Sequence, residues 1–442
     1  MRFVPRVRLA ALASSAAVAL VALVACARGP LAGFISPDDD TPLFIGNCDG
    51  GGTCPQSACM TTVSGTALAP NAVDPLYGAL VYVPSAPLAP VEQGATCARC
   101  DVVSGEPVAS ATSTPEGHFS LEVPRAEGVE LVVQVGKWRR KVSLPPLVPC
   151  ADNPLPAELT RLPRAQWEGN IPLHAVTLGN CDRLECVLRQ IGVDDGEFTV
   201  PSGGGRVHLY RENGATVPDV PAADDLTNSP EALKRYDLVL FDCAGEAKEK
   251  TAQQKQNVVD FTSAGGRIFV SHFSYVWLYN VPPFSTTADW NINAAIPEQE
   301  SIIAKLDTSF ARGAAFAKWL TRVGAISREG DNTVEVLDPR FDVNFTVPPG
   351  ERLIYTESPR SVQELTFDTP IGAAPRDQCG RVAFTDFHVT GASCTPDGML
   401  FPLECEAAKA RMTPQERVME FMLFDLASCL QGNGEAPPPL IR

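Results

Sequence analysis

Leu238-Val239-Leu240-Phe241, then Thr251 to Ser263, then Gly265-Gly266-Arg267-Ile268-Phe269-Val270-Ser271-His272 is the stretch on which the fold turns. Leu238 to Asp242 reads as a strand, a continuous run of the kind buried on both faces. Thr251 to Ser263 reads as a helix that the two glycines close. Arg267 to Ser271 is a second buried strand. A strand, a helix and a strand in that order place two parallel strands side by side with a helix across them. The alternation continues outward. Ile171 to Thr177 and Arg206 to Arg211 read as earlier strands. Asp182 to Ile191 reads as a short helix with Leu184, Val187, Leu188 and Ile191 on one face. Phe310 to Val323 is another amphipathic helix, and Leu353 to Thr356 and Val382 to Phe387 are later strands. Thr413-Pro414-Gln415-Glu416 combines an N-cap with a proline at the first helical position, opening a last helix from Pro414 to Leu430. The expectation for residues 165–431 is an α/β flavodoxin-like parallel sheet with helices on both faces.

Upstream the texture changes. Val63 to Ala67, Ala79 to Val83, His118 to Val123, Glu130 to Val135 and Lys141 to Leu144 are short alternating or apolar runs separated by Pro and Gly. Such a series, without helical period, predicts an immunoglobulin-like β-sandwich over residues 59–150. Residues 145–163 hold six prolines, and a linker is expected at 151–164. Residues 432–442, with Pro437 to Pro439, read as a disordered tail.

The first residues carry Arg2, Arg6 and Arg8 and no acid, and Leu9 to Ala25 carry no charge. That layout is a secretory signal, expected at 1–25. It ends in Leu23-Val24-Ala25-Cys26, which resembles the bacterial lipobox, in which the Cys is acylated. An ordinary cleaved signal and an uncleaved anchor are the alternatives. Ala27, in place of the Asp that often retains lipoproteins on the inner membrane, favours the outer membrane or cell surface. Residues 26–58, with Gly29-Pro30, Asp38 to Asp40 and Gly50 to Gly52, read as a flexible spacer. The chain has 36 basic and 52 acidic residues, a net charge of −16, and loses three more positive charges with the signal. So acidic a body argues against nucleic acid as a partner and against holding to anionic lipid by charge, which leaves the acyl anchor as the membrane contact. Of fourteen cysteines, thirteen remain beyond Cys26. That odd number requires at least one thiol that is free or paired with another chain. Cys97 and Cys100 form a CxxC without a second one or a nearby His, and read as disulfide partners.

The order Val63-Ser64-Gly65-Thr66, Pro75 to Val81, Thr112 to Glu116 and Gly117-His118-Phe119-Ser120-Leu121 resembles the carboxypeptidase regulatory-like domain. That resemblance implies a carbohydrate-binding-like, usually non-catalytic sandwich, and no peptidase. Tyr236-Asp237-Leu238-Val239-Leu240-Phe241, Gly265 to His272 and Gly380 to His388 are similar to the class I glutamine amidotransferase-like fold, closest to its trehalose-utilisation (ThuA-like) branch. The whole chain resembles a group of uncharacterised bacterial lipoproteins joining these two domains. The amidotransferases place a Cys nucleophile at the turn after the strand corresponding to Arg267–Ser271. Ser271-His272-Phe273-Ser274 stands there, so glutamine hydrolysis of that type is not expected.

Ligands in open parallel sheets sit beyond the carboxyl ends of the strands. Those ends offer Asp242, Cys243 and Glu246; Ser271, His272, Ser274 and Tyr275; and Asp386 and His388. Cys243 could be a nucleophile if His272 lowered its pKa, or could be paired or simply buried. His272, His388 and Asp386 could hold a divalent metal or act as general base and orienting acid; hydrogen bonding within a crowded layer is the plain alternative. Phe273 to Asn280, with Tyr275 and Trp277, is rich in aromatics, which either stack on sugar rings or pack in the core. The expected role is that of an envelope binding or accessory protein for a carbohydrate or cell-wall ligand. A glycan-directed hydrolase and a non-catalytic structural protein are the alternatives.

Overall fold

Alternation of apolar and polar residues builds two facing sheets from the first part of the chain. In the strand His118–Val123 every second residue (Phe119, Leu121, Val123) is buried. This strand pairs antiparallel with Thr61–Thr66 in a three-stranded sheet. The opposing five-stranded sheet runs Pro107–Thr112, Leu80–Pro84, Glu130–Val135, Trp138–Ser143 and Gly169–Asn170. The computed structural model describes residues 59–97, 103–292, 294–296, 299–328, 330–390, 394, 399–405 and 411–430. The signal at 1–25, Cys26, the spacer at 26–58 and the tail at 432–442 lie outside them.

Residues 151–164, expected as a linker, are built into the sheets. Asp152–Pro154 adds a parallel strand beside Thr62, Val63 and Ser64, and Gly169–Asn170 pairs with Arg139 and Arg140. Cys59 and Cys150 join the two ends of the region. Cys97 is bonded to Cys379 and not to Cys100, which corrects the CxxC reading: the bridge spans 282 positions and ties the first region to the second.

The second region is organised on one ten-stranded sheet. Five parallel strands form its centre: His174–Leu178, Val207–Arg211, Leu238–Phe241, Arg267–Ser271 and Gly380–Thr385. Their order in space is second, first, third, fourth, fifth. Phe198–Thr199 extends one edge in parallel. Beyond Gly380–Thr385 the sheet turns antiparallel through Arg360–Thr369, Glu351–Glu357, Ser301–Leu306 and Thr333–Leu337. The expected all-parallel sheet is therefore a mixed one, in a β-rich, multidomain chain.

Helix boundaries follow from their caps. The Thr251 hydroxyl accepts from the Gln254 amide at 3.2 Å while the Gln254 side chain accepts from the Thr251 amide at 2.9 Å. The helix Ala252–Ser263 then ends at Gly265, whose φ of +113° suits a residue without Cβ. Thr413 and Glu416 form the same reciprocal box for Pro414–Ala427. That last helix covers the sheet and meets the first region. Phe421 stacks on Tyr77 at 6.2 Å, and Phe424 packs on Trp138 at 5.4 Å. The Trp319 indole donates to the Pro75 carbonyl at 2.7 Å. The turn at Gly136 approaches so closely that a Cβ there would lie 1.8 Å from the Ala427 carbonyl oxygen. The described residues thus form one unit with a shared core. No described helix is long and apolar enough to cross a membrane.

Candidate functional site at the carboxyl ends of the parallel strands

Parallel strands deliver their last residues to one edge, so sequence-distant side chains meet there. Cys243 follows Leu238–Phe241, His272 follows Arg267–Ser271, and His388 follows Gly380–Thr385. Their donor atoms all lie within 4.8 Å of one another. The Cys243 Sγ is 3.4 Å from the His272 Nδ1, and the two imidazoles stack with centroids 3.7 Å apart. His272 stands at the sharp turn between strand and 3-10 helix with φ +46°, the left-handed region that non-glycine residues seldom occupy. Phe273 meets its ring edge-on at 4.5 Å. Among the described residues the free thiol is Cys243, and it is fully buried.

The acids that flank the imidazoles are not the expected one. The His388 Nδ1 lies 3.6 Å from Asp182 and its Nε2 lies 3.6 Å from Asp338. Asp386 turns elsewhere. Its carboxylate accepts from the Asp342 amide at 2.8 Å and its carbonyl from the Arg340 amide at 2.7 Å, so it anchors the Pro339–Asp342 segment. Burial, reinforced by the Asp342 charge, holds its pKa well above the usual carboxylate range. Asp182 and Asp338 escape a sequence reading because one opens a helix and the other comes from a different part of the sheet.

The two imidazoles carry different charge. Burial alone would lower His388, but Asp182 and the Cys243 sulfur more than offset it and push its pKa up to about 10. His272 is held well below the ordinary value, first by burial and then by the positive charges of His388 and Arg340. The donor atoms of Cys243, His272 and His388 lie close enough together to hold a metal ion, although the stacked rings, 23° apart, would have to turn for their in-plane lone pairs to converge on it.

Over the two rings lies a cavity of about 290 Å³, lined by His272, Phe273, Asp338, Arg340, Asp342 and His388, with Gln299 and the Cys181–Cys394 bridge at its margin. The Arg340 guanidinium binds Asp342 through two nitrogens at 2.5 and 3.0 Å and lies 4.3 Å from the Phe273 ring centroid. The remaining candidates are placed differently. Ser271 is fully buried, and the Ser274 hydroxyl donates to the Asp242 carbonyl at 2.8 Å. Tyr275 packs edge-on against Tyr279, and Trp277 stacks on Phe241 at 4.6 Å. These aromatics are core, and Phe273 alone of the run Phe273 to Asn280 lines this cavity. Asp242, the exposed Glu246, Ser274 and Trp277 border a separate crevice of about 10 Å³, room for no more than one water.

No family model matches the chain, and no curated protein matches it. Among solved structures it is similar to a ThuA-like protein from Bacteroides uniformis, at 9% identity and TM-score 0.31 over 57% of this chain and 89% of that one. It is also similar to the mmIFT52 N-terminal domain, at 12% identity and TM-score 0.31 over 58% and 97%. A cytoplasmic protein from Salmonella typhimurium matches at 8% identity and TM-score 0.31 over 57% and 98%. Likeness at this level carries no argument about activity.

Proposed function

We propose that the chain is an exported cell-envelope lipoprotein, anchored through Cys26, whose α/β region binds a small polyhydroxylated ligand, a carbohydrate or cell-wall fragment, over His272 and His388. The observation that carries the ligand class is the make-up of the cavity wall. An acceptor on Asp338, a donor on His388, and the Arg340–Asp342 pair lying over the Phe273 ring line a volume of about 290 Å³. Hydroxyl groups donate and accept at once, and a sugar ring also presents an apolar face to an aromatic one. The volume, at the lower end for organic ligand sites, suits one or two rings. Four disulfides among the described residues support an oxidising compartment. The spatial order of the parallel strands supports the flavodoxin-like reading, and the two facing sheets support the immunoglobulin-like one.

Binding ranks above glycan hydrolysis for a physical reason. General acid–base work is most efficient with a pKa near the working pH. Here one imidazole is held far below neutrality and the other is pushed up to about 10, while Cys243 lies behind them and not in the cavity wall. Calorimetry of the mature chain with Cys26→Ser, against glycans selected on an array, tests the reading. Asp338→Asn, at a partly exposed carboxylate, is expected to weaken binding at least tenfold while leaving the fold intact, and Arg340→Lys, which keeps the charge beside Asp342, is expected to weaken it less. A protein that retains no glycan on the array, or whose binding is untouched by both substitutions, rules it out.

A further inference from the structure

Arg267 opens the parallel strand Arg267–Ser271 and stands beside Arg381 on the neighbouring strand Gly380–Thr385. Arg381 takes both oxygens of Asp368 and shares Asp425 with Arg312. Nothing comparable is left for Arg267. It is 5% exposed, it forms no ion pair among the described residues, and its Nη1 is buried without a hydrogen-bond partner. Burial, and after it the charge of Arg381, lower its pKa to about 10, so it is still cationic at neutral pH. The acids that act on it from further away, Asp368, Asp425 and Asp237, are each bound to another cation.

A small cavity of about 20 Å³ adjoins that guanidinium, at the seam between the first region and the sheet. Thr96 and Lys137 reach it from the first region, His174, Asp237 and Arg267 from the amino ends of the parallel strands, and Leu426 from the last helix. A second polar atom is unpaired here, the Nδ1 of His174, a residue 1% exposed. Burial, and then Arg206, hold this imidazole down at about 4, so it adds no charge, and with its hydrogen on Nδ1 it is a donor. The Lys137 ammonium donates to the Gly94 carbonyl at 2.5 Å and to Asp237 at 2.6 Å, which leaves one of its three N–H bonds. Asp237 is the one acid in the wall, and its oxygens are turned to Lys137 and to the Leu173 amide, at 2.6 Å each. The wall thus carries two cations against one carboxylate, with donors to spare.

We infer that this cavity binds one monatomic anion, chloride in first place, held by the Arg267 Nη1 and the His174 Nδ1. Charge and size decide the class. A guanidinium withdrawn from water calls for a counter-charge, which a water molecule does not supply. A volume of about 20 Å³ holds one particle the size of a water and excludes sulfate, phosphate and carboxylates. The ion ties the first region to the second, next to the Cys97–Cys379 bridge. The site lies at the opposite end of the parallel strands from the cavity over His272 and His388, and it stands whether or not a sugar binds there.

The test is thermal unfolding of the mature chain carrying Cys26→Ser, in sodium gluconate with chloride substituted at constant ionic strength, up to about 50 mM. Gluconate is too large for the cavity and screens the acidic chain equally, so the difference between the two salts belongs to the site. The melting temperature is expected to rise by about 2–5 °C along a saturating curve, and bromide should act as chloride does. Arg267→Met should abolish the response, and His174→Phe should raise the half-saturating concentration at least threefold. Crystals grown in sodium bromide give a reading that needs no variant to fold: an anomalous peak is expected in this cavity, against the Arg267 Nη1. A melting temperature that ignores chloride, an equal response in a folded Arg267→Met protein, or a cavity that holds water alone in the bromide crystals overturns the assignment.

Discussion

The two ends of the parallel sheet hold buried charge differently. At the amino end most acids are matched, although the Arg267 Nη1 is buried without a partner. The Asp237 carboxylate accepts from the Leu173 amide at 2.6 Å and from Lys137 at 2.6 Å. Arg381 binds Asp368 through two nitrogens and Asp425 through a third, and Arg312 reaches the same Asp425. At the carboxyl end, Asp182, Glu185, Asp242, Asp386 and Glu404 each leave an oxygen without a partner, and a histidine occupies a left-handed turn. Unpartnered buried oxygens and a strained turn cost stability, and such costs gather where proteins bind or react.

The largest effect should come from breaking the matched end. Arg381→Met leaves Asp368 and Asp425 buried without their main counter-charge and should cost about 3–5 kcal/mol in urea unfolding. A loss under about 1 kcal/mol would mean the network is not the brace it looks like. At the same edge, Cys379 precedes the strand Gly380–Thr385 and is bonded to Cys97. Cys97→Ser should cost about 2–4 kcal/mol by releasing the closure of that long loop, and the double variant with Cys379→Ser should cost no more than the single one.

The contrast also explains what could be read from the sequence. The matched end belongs to elements with strong periodicity: the apolar run Leu238–Phe241, the strand Arg267–Ser271 and the last helix all stand where the pattern places them. The antiparallel half was largely hidden. Arg360–Thr369 is a central strand, yet it buries Gln363, Glu364, Thr366 and Thr369, and that polar content masks an apolar run. Parallel strand ends made Cys243, His272 and His388 legible as candidates. Asp386 was a fair choice on the same grounds and failed because its neighbour Asp342 claims it. Asp182 and Asp338 enter through chain reversals that no local period encodes.

Stability against pH sharpens the comparison next. Glu185 rises from an ordinary 4.5 to about 8 in the folded chain, and Glu404 from 4.5 to about 7. For an acid whose folded pKa is raised, the contribution to stability is complete below the unfolded value and is lost as pH climbs through the folded one. The melting temperature should therefore fall as pH goes from about 5 to about 8. His388, raised from 6.5 to about 10, adds a loss in the same direction at higher pH. A melting temperature that rises over this window would show that the carboxyls at this end are paired after all.

The smallest effect isolates the strained turn. His272→Asn and His272→Val both remove the imidazole, the stacking on His388 and the contact with Cys243. They differ in what the backbone permits, since Asn tolerates the left-handed region and a β-branched residue does not. At φ +46° the Val variant should be less stable than the Asn variant by about 1–2 kcal/mol, measured by urea unfolding. The shared loss of the ring cancels in that difference, so what remains belongs to the turn. Equal stabilities would mean that the left-handed conformation relaxes without the imidazole. His272 would then be held in that conformation by His388 and Cys243, and the strain would belong to the stacked pair and not to the backbone.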